Sequence, residues 1–188
     1  MTTASMPEAA ERLLTAEEYA ALPEDRRTEL VKGRIEDVPP PGFLHGVVQL
    51  EIASLLREYV RKRSLGRVLT ESGTVTARKP DTVRGPNVSF YSYQRLPQHE
   101  TPTGYPNTAP DVVFEVLSPR QGLKEVLPKV SEYLLSGTAC VCVIDPQRRT
   151  AVLYGADDSI SLLNAEDALH LPAPLADWAP RVREFFPE

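Results

Sequence analysis

Glu115 stands in the middle of "PDVVFEVLS" (110–118), where Val112, Val113, Phe114, Val116 and Leu117 leave no polar face. A run of that kind reads as a strand covered on both sides. An isolated buried charge is too costly there, so the carboxylate must be paired, bound to a metal or kept protonated. Two further ionisable groups keep apolar company: Glu29, flanked by Leu30 and Val31, and Lys129 in "PKVSEYLL", with Tyr133 four residues on. Hard cations such as Mg²⁺ take oxygen ligands, commonly one or two carboxylates together with a substrate phosphate. A lysine beside them orients a water or neutralises charge at a phosphate under attack. The same residues also suit a buried Glu115–Lys129 ion pair with no chemistry, and spacing alone does not choose between the two.

Other chemistries find little support. The ten glycines are scattered singly, with no phosphate-binding loop, and no G-x-S-x-G elbow surrounds Ser118. The three histidines, His45, His99 and His170, are too far apart in sequence to suggest a histidine-rich metal site. Cys140 and Cys142 fall two apart in the apolar run "CVCVID", so both project to one face and read as buried thiols, not as a disulfide or a zinc site.

The elements that must carry these residues follow from pattern. Thr15 and Glu18 form a capping box, Leu14 can staple onto Tyr19, and the short helix they open stops at Pro23. "RTELVKGRIEDV" reads as a hairpin turned at Lys32-Gly33, ended by "PPPG" at 39–42. Val48, Ile52, Leu55, Leu56 and Tyr59 recur at helical spacing over 45–63, the longest helix, whose basic end (Arg61, Lys62, Arg63) complements the helix dipole. Short β-branched runs follow Gly66, and "NVSFYSY" alternates. The loop "LPQHETPTGYPNTAP" (96–110) is long enough to be a lid or a partner contact, and suits an ordinary insertion equally well. "PKVSEYLLSG" predicts a helix with Pro128 at its first position and Gly137 at C′. "ACVCVID" predicts a buried strand, "TAVLY" its antiparallel neighbour and "ISLLN" an edge, while Trp178, Phe185 and Phe186 in the tail read as anchors that seal the core.

The 188 residues fit one domain, expected over 13–188 behind a flexible lead-in at 1–12. Charged residues make up 25% and apolar residues 41%, ordinary for a globular protein. The net charge of −5 excludes a general polyanion binder, so nucleic acid would have to meet a local basic patch. No run approaches a membrane span and no apolar segment opens the chain, which with two free thiols points to the cytoplasm.

The order "LTAEEYAALPEDRRTELVKGRIEDVPPP", a helix, "VRGPNVSFYSYQRLP", "APDVVFEVLSP" and "KVSEYLLSGTACVCVIDP" resembles the Uma2 family, bacterial proteins described as restriction endonucleases with a PD-(D/E)XK nuclease fold. The similarity runs from about residue 13 to the end and rests on five short motifs in sequence. The resemblance implies an α/β (α+β) fold with a restriction-endonuclease-like core, a central mixed β-sheet flanked by helices. It implies a Mg²⁺- or Mn²⁺-dependent endonuclease acting on DNA; since symmetric oligomers are common, a homodimer is the form expected of a nuclease that faces two strands. Carried over, Glu29 matches the helper acid and Glu115 the carboxylate of the (D/E)XK half. Leu117 stands where that half's lysine would be, so the lysine is supplied from the next helix, by Lys129.

The chain departs from the family at one ligand. The family reads P-D where this chain reads Pro86-Asn87, so the expected metal pair is Asn87 and Glu115. An amide still offers a carbonyl oxygen, but a unit charge about 4 Å from a cation is worth on the order of 4 kcal/mol at an effective dielectric near 20. An inert nuclease fold that only binds or assembles is therefore the alternative. Asp111 imitates the signature with its own "PD", but a strand places it about 13 Å from Glu115, too far to share an ion; it reads as a strand-start residue. Arg57, Arg61, Arg63, Arg78, Lys79 and Arg84 are available for phosphates, and no pattern singles out a DNA-binding set.

Overall fold

The computed structural model describes residues 12–23, 26–119 and 122–187; residues 1–11 of the expected lead-in lie outside them. The first helix, α1 (Ala16–Ala20), opens on the capping box of Thr15 and Glu18. The hairpin of β1 (Thr28–Val31) and β2 (Arg34–Asp37) turns at Lys32 and Gly33, both at positive φ, as a two-residue primed turn requires. Helix α2 (Phe43–Arg63) follows, then β3 (Gly66–Thr70), β4 (Thr74–Ala77), β5 (Thr82–Arg84) and β6 (Val88–Ser92). The rest comprises β7 (Val112–Val116), α3 (Leu123–Leu135), β8 (Cys140–Asp145), β9 (Thr150–Gly155), β10 (Ile160–Leu163) and a 3₁₀ turn at Val182–Phe185.

The strands form two sheets. A four-stranded sheet runs β2-β1-β5-β4, and a six-stranded one runs β10-β9-β8-β7-β6-β3, with β10 at one edge as expected. The larger sheet is mixed: β7 and β8 are parallel, joined by the α3 crossover, and the other pairs are antiparallel.

Alternation sorts the residues of the larger sheet between two cores. Val112, Phe114 and Val116, with Cys140, Cys142 and Ile144, pack against α2 and against Trp178 and Phe185 of the tail. Phe114 meets both of those rings edge-on. Val113 and Leu117, with Val141 and Val143, pack against Val126, Val130 and Tyr133 of α3. Glu115 shares the odd-numbered face of β7 and therefore looks toward α3. The two thiols are free and buried, and burial pushes Cys140 up to about 12 and Cys142 well above the ordinary range, so they are inert packing.

One expectation is corrected. Helix α3 begins at Leu123, not at Pro128, which lies inside it. Starting early buries Val126 in line with Val130 and Tyr133, which offsets the one intrahelical bond that Pro128 cannot donate. Gly137, at φ +105, does take the left-handed position after the helix. The 96–110 loop is tied down: Arg67 donates to the carbonyls of Gln98 and Glu100, and Tyr105 stacks on Tyr19 of α1. None of its residues lines the cleft described below, which suits the ordinary insertion among the readings left open.

Candidate active site

The site lies where the chain passes from the small sheet to the large one, across Gly85, Pro86 and Asn87. Register does the positioning. Strand β6 pairs Val88 with Phe114 of β7 and with Thr70 of β3. One step back along β6, Asn87 therefore stands between Glu115 on one side and Glu71 on the other. In the small sheet Leu30 pairs with Val83, and one step further sets Glu29 opposite Arg84. Helix α3 brings Lys129 and Tyr133, one turn apart on one face, over this junction. Together these form a cleft of about 370 Å³, lined by Glu29, Glu71, Asn87, Glu115 and Lys129 among others, Pro39, Pro40, Pro41 and His45 included.

The hydrogen bonds distribute the charges. Lys129 Nζ donates to Glu29 Oε1 at 2.7 Å, so the lysine pairs with Glu29 and not with Glu115. Arg84 Nη1 donates to Glu29 Oε2 at 2.8 Å, and its Nε and Nη2 reach Glu132 at 2.6 and 2.9 Å. Burial pushes the Glu29 carboxyl up, but Lys129 and Arg84 outweigh it and hold it below the usual carboxylate value. Glu115 has no such pair. Its Oε1 accepts from the Tyr133 hydroxyl at 2.8 Å, and burial raises its pKa to about 7, against the opposing pull of Lys129 and Tyr133 and with help from Glu29 and Glu71. Burial thus favours the protonated form of the carboxylate in the apolar strand. Burial first, then Glu115, lifts the Tyr133 phenol well above its ordinary range, so it stays a hydrogen donor.

Asn87 is fixed at both ends. Its Oδ1 accepts the Val116 N–H at 2.8 Å and its Nδ2 donates to Glu71 Oε1 at 3.0 Å. The partners leave no choice of orientation, because the backbone N–H needs an acceptor and the carboxylate needs a donor. An aspartate here would keep the Val116 bond with one oxygen and turn the other into the cleft. Asn87 turns an N–H₂ there instead. In this structure its carbonyl oxygen, the atom expected to serve a cation, accepts the Val116 N–H.

The donor set for Mg²⁺ or Mn²⁺ is accordingly incomplete. Glu29 is taken by two cationic side chains, Glu115 by a phenol, and Asn87 presents hydrogens where a lone pair is needed. No group of three or more His, Cys, Asp or Glu side chains that could hold a metal occurs among the described residues. The residues as they stand do not fit the ion.

The sequence reading missed three residues. Glu71, at φ +53 just past β3, meets Asn87 and is paired by Arg27. Arg84, thought available for phosphate, is buried between Glu29 and Glu132. His45, set aside with the other histidines, lines the cleft. Their signal is cross-strand register and helix phase, which sequence spacing does not carry. Asp111 is structural, as expected: it accepts from the Ser92 N–H at 2.7 Å and pairs with Arg95. Among the other basic candidates, Arg78 pairs with Glu17 and Asp81, and Arg63 lies 4.0 Å over the Tyr59 ring.

A mixed sheet flanked by helices, with a buried glutamate on the strand that enters a parallel crossover and a lysine from the crossover helix above it, defines a nuclease-like α/β fold. The chain belongs to the Uma2 family, whose model, described as "Putative restriction endonuclease", matches residues 16–183. Among solved structures it is similar to one described as "a putative nuclease belonging to DUF820 from Anabaena variabilis". The TM-score is 0.76 and the identity 26%, over 92% of this chain and 97% of that one. No curated protein matches the chain. No helix among the described residues is long and apolar enough to cross a membrane.

Proposed function

We propose that this protein is an endonuclease held back at one position: a cleft shaped for hydrolysis of DNA phosphodiesters with Mg²⁺ or Mn²⁺, in which Asn87 stands against the ion. The observation that carries the reading is the pair of hydrogen bonds that turn Nδ2, not an oxygen, into the cleft. Family membership and the meeting of Glu29, Glu115 and Lys129 support the nuclease half of it. In this reading Glu29 is a positioning residue that, with Arg84, fixes the Lys129 ammonium. Lys129 offers positive charge to a phosphate, and Glu115, its pKa raised by burial to about 7, can hold a proton beside it. A duplex presents two strands, so a homodimer belongs to the reading, and free thiols suit a cytoplasmic setting.

Nicking of supercoiled plasmid with Mg²⁺ or Mn²⁺ tests it. The unaltered protein should cut slowly or not at all, Asn87→Asp at least tenfold faster, and Glu115→Ala or Lys129→Ala in that background should abolish cutting. Absence of metal-dependent cleavage by Asn87→Asp would remove the enzyme reading. The second reading, an inert nuclease fold that binds or assembles, would then stand. It is favoured by the fact that Lys129 and Arg27, the cations lining the cleft, are each already matched to a carboxylate.

A further inference from the structure

A second concavity, a groove of about 710 Å³, runs between α2 and β3. Arg57, Glu58, Arg61 and Lys62 line it from the helix, and Val68 and Thr70 from the strand, which is an edge of the six-stranded sheet. Lys62 is matched to Glu58, one turn back. Arg57 and Arg61, exposed and one turn apart on the same face, have no carboxylate partner among the described residues. The groove therefore carries two uncompensated positive charges on a chain whose net charge is −5. The helix dipole accounts for Arg61, which stands in the last turn, but not for Arg57.

The other end of the same helix face is apolar. Leu50, which also lines the groove, is 64% exposed. Phe43, seven residues earlier and so on the same face, is 89% exposed. Both walls of the groove start at the cleft: Pro41, just before Phe43, lines the cleft, and so does Glu71, the residue after Thr70. From Phe43 to Arg61 the helix rises about 27 Å at 1.5 Å per residue. That is the length of about eight nucleotides at a stacked rise of about 3.4 Å.

We propose that this face of α2 is a track for single-stranded DNA, which takes up the strand leaving the cleft with Arg57 and Arg61 on its phosphates and a base stacked on the Phe43 ring. The track rests on the nuclease reading for its ligand, since the cleft is what presents the strand. Both ends of the face match that ligand. Phosphates answer the two unmatched guanidinium groups, and an unpaired base offers a ring face to the exposed aromatic, which a duplex keeps inside its stack. A second copy docked about a two-fold axis would instead bring two more unmatched arginines to the same interface.

Fluorescence anisotropy in EDTA tests it, with a labelled oligothymidylate long enough to span the helix and a series of salt concentrations. Each arginine seated on a phosphate of a single strand adds about 0.7 to the slope of log affinity against log salt. Replacing Arg57 and Arg61 together by alanine should therefore lower the slope by about 1.4 and weaken binding at least tenfold at low salt. Phe43→Ala should weaken binding about fivefold or more with the slope unchanged, because stacking releases no counterions. All three side chains are exposed, so the melting temperature should hold in each variant. Failure of the parent to bind, a slope unmoved by the arginine substitutions, or binding indifferent to Phe43→Ala overturns the track. A dimer that Phe43→Ala splits while DNA binding stays put assigns the face to a second copy and overturns it too. If Asn87→Asp cuts no DNA while the three substitutions act as stated, the track stands and the nuclease reading falls. If Asn87→Asp cuts and none of the three changes binding, the track falls alone.

Discussion

Asn87→Asp tests the electrostatics of the cleft before any DNA is added. The amide Nδ2 lies 3.0 Å from Glu71 Oε1, and the substitution replaces a donor by a second carboxylate oxygen at that distance. Two unit charges 3.0 Å apart repel by about 5 kcal/mol at an effective dielectric near 20. The lost hydrogen bond to a charged group adds roughly 1.5–3 kcal/mol. Movement of the Glu71 side chain, proton uptake by one of the two acids and the Arg27 guanidinium beside Glu71 relieve much of this. A net destabilisation of about 3 kcal/mol is expected, and in a chain of this size each kcal/mol moves the melting temperature by roughly 2–4 °C.

In EDTA the variant should therefore melt about 6–12 °C below the parent. Mn²⁺ between the two carboxylates removes the repulsion, and a ligand at a hundred times its Kd returns about 2.7 kcal/mol, nearly all of the loss. The parent, with an amide facing that point, should not respond to Mn²⁺. Differential scanning fluorimetry with and without Mn²⁺ reads both arms. A variant that melts with the parent in EDTA and ignores Mn²⁺ would refute the placement of Glu71 and residue 87 as neighbours on one cleft wall.

Two predictions concern the buried charges. Glu115 has a folded-state pKa of about 7 against an ordinary value of 4.5, so the folded state binds the extra proton between them and stability falls as pH rises through that window, by a few kcal/mol. Glu115→Gln should abolish that slope in urea melts from pH 4.5 to 7.5, whereas Glu29, whose pKa is lowered, acts only on the acid side of its ordinary value. Arg84→Met leaves Glu132 without the arginine and Glu29 with Lys129 alone, and should lower stability by about 3–5 kcal/mol; a urea midpoint that hardly moves would mean the network is dispensable.

What the sequence displays is local, and what it conceals is register. The Thr15–Glu18 box, the Lys32-Gly33 turn and the two-sided apolar run around Glu115 involve neighbours within a few residues, and each appears where its pattern places it. The start of α3 was obscured because Pro128 is a good first residue for a helix. Only the burial of Val126 beneath the sheet, a tertiary fact, draws the helix back to Leu123. The candidate site is more hidden still. Glu71, Asn87 and Glu115 come from three segments and meet because β6 pairs with β3 and β7 in registers that agree at one row. A slip of one residue in either pairing would turn those side chains to opposite faces. The apolar setting of Glu115 announces that something must compensate its charge. Which group does so depends on strand pairing, and here it is the Tyr133 hydroxyl and a proton, while Lys129 turns to Glu29.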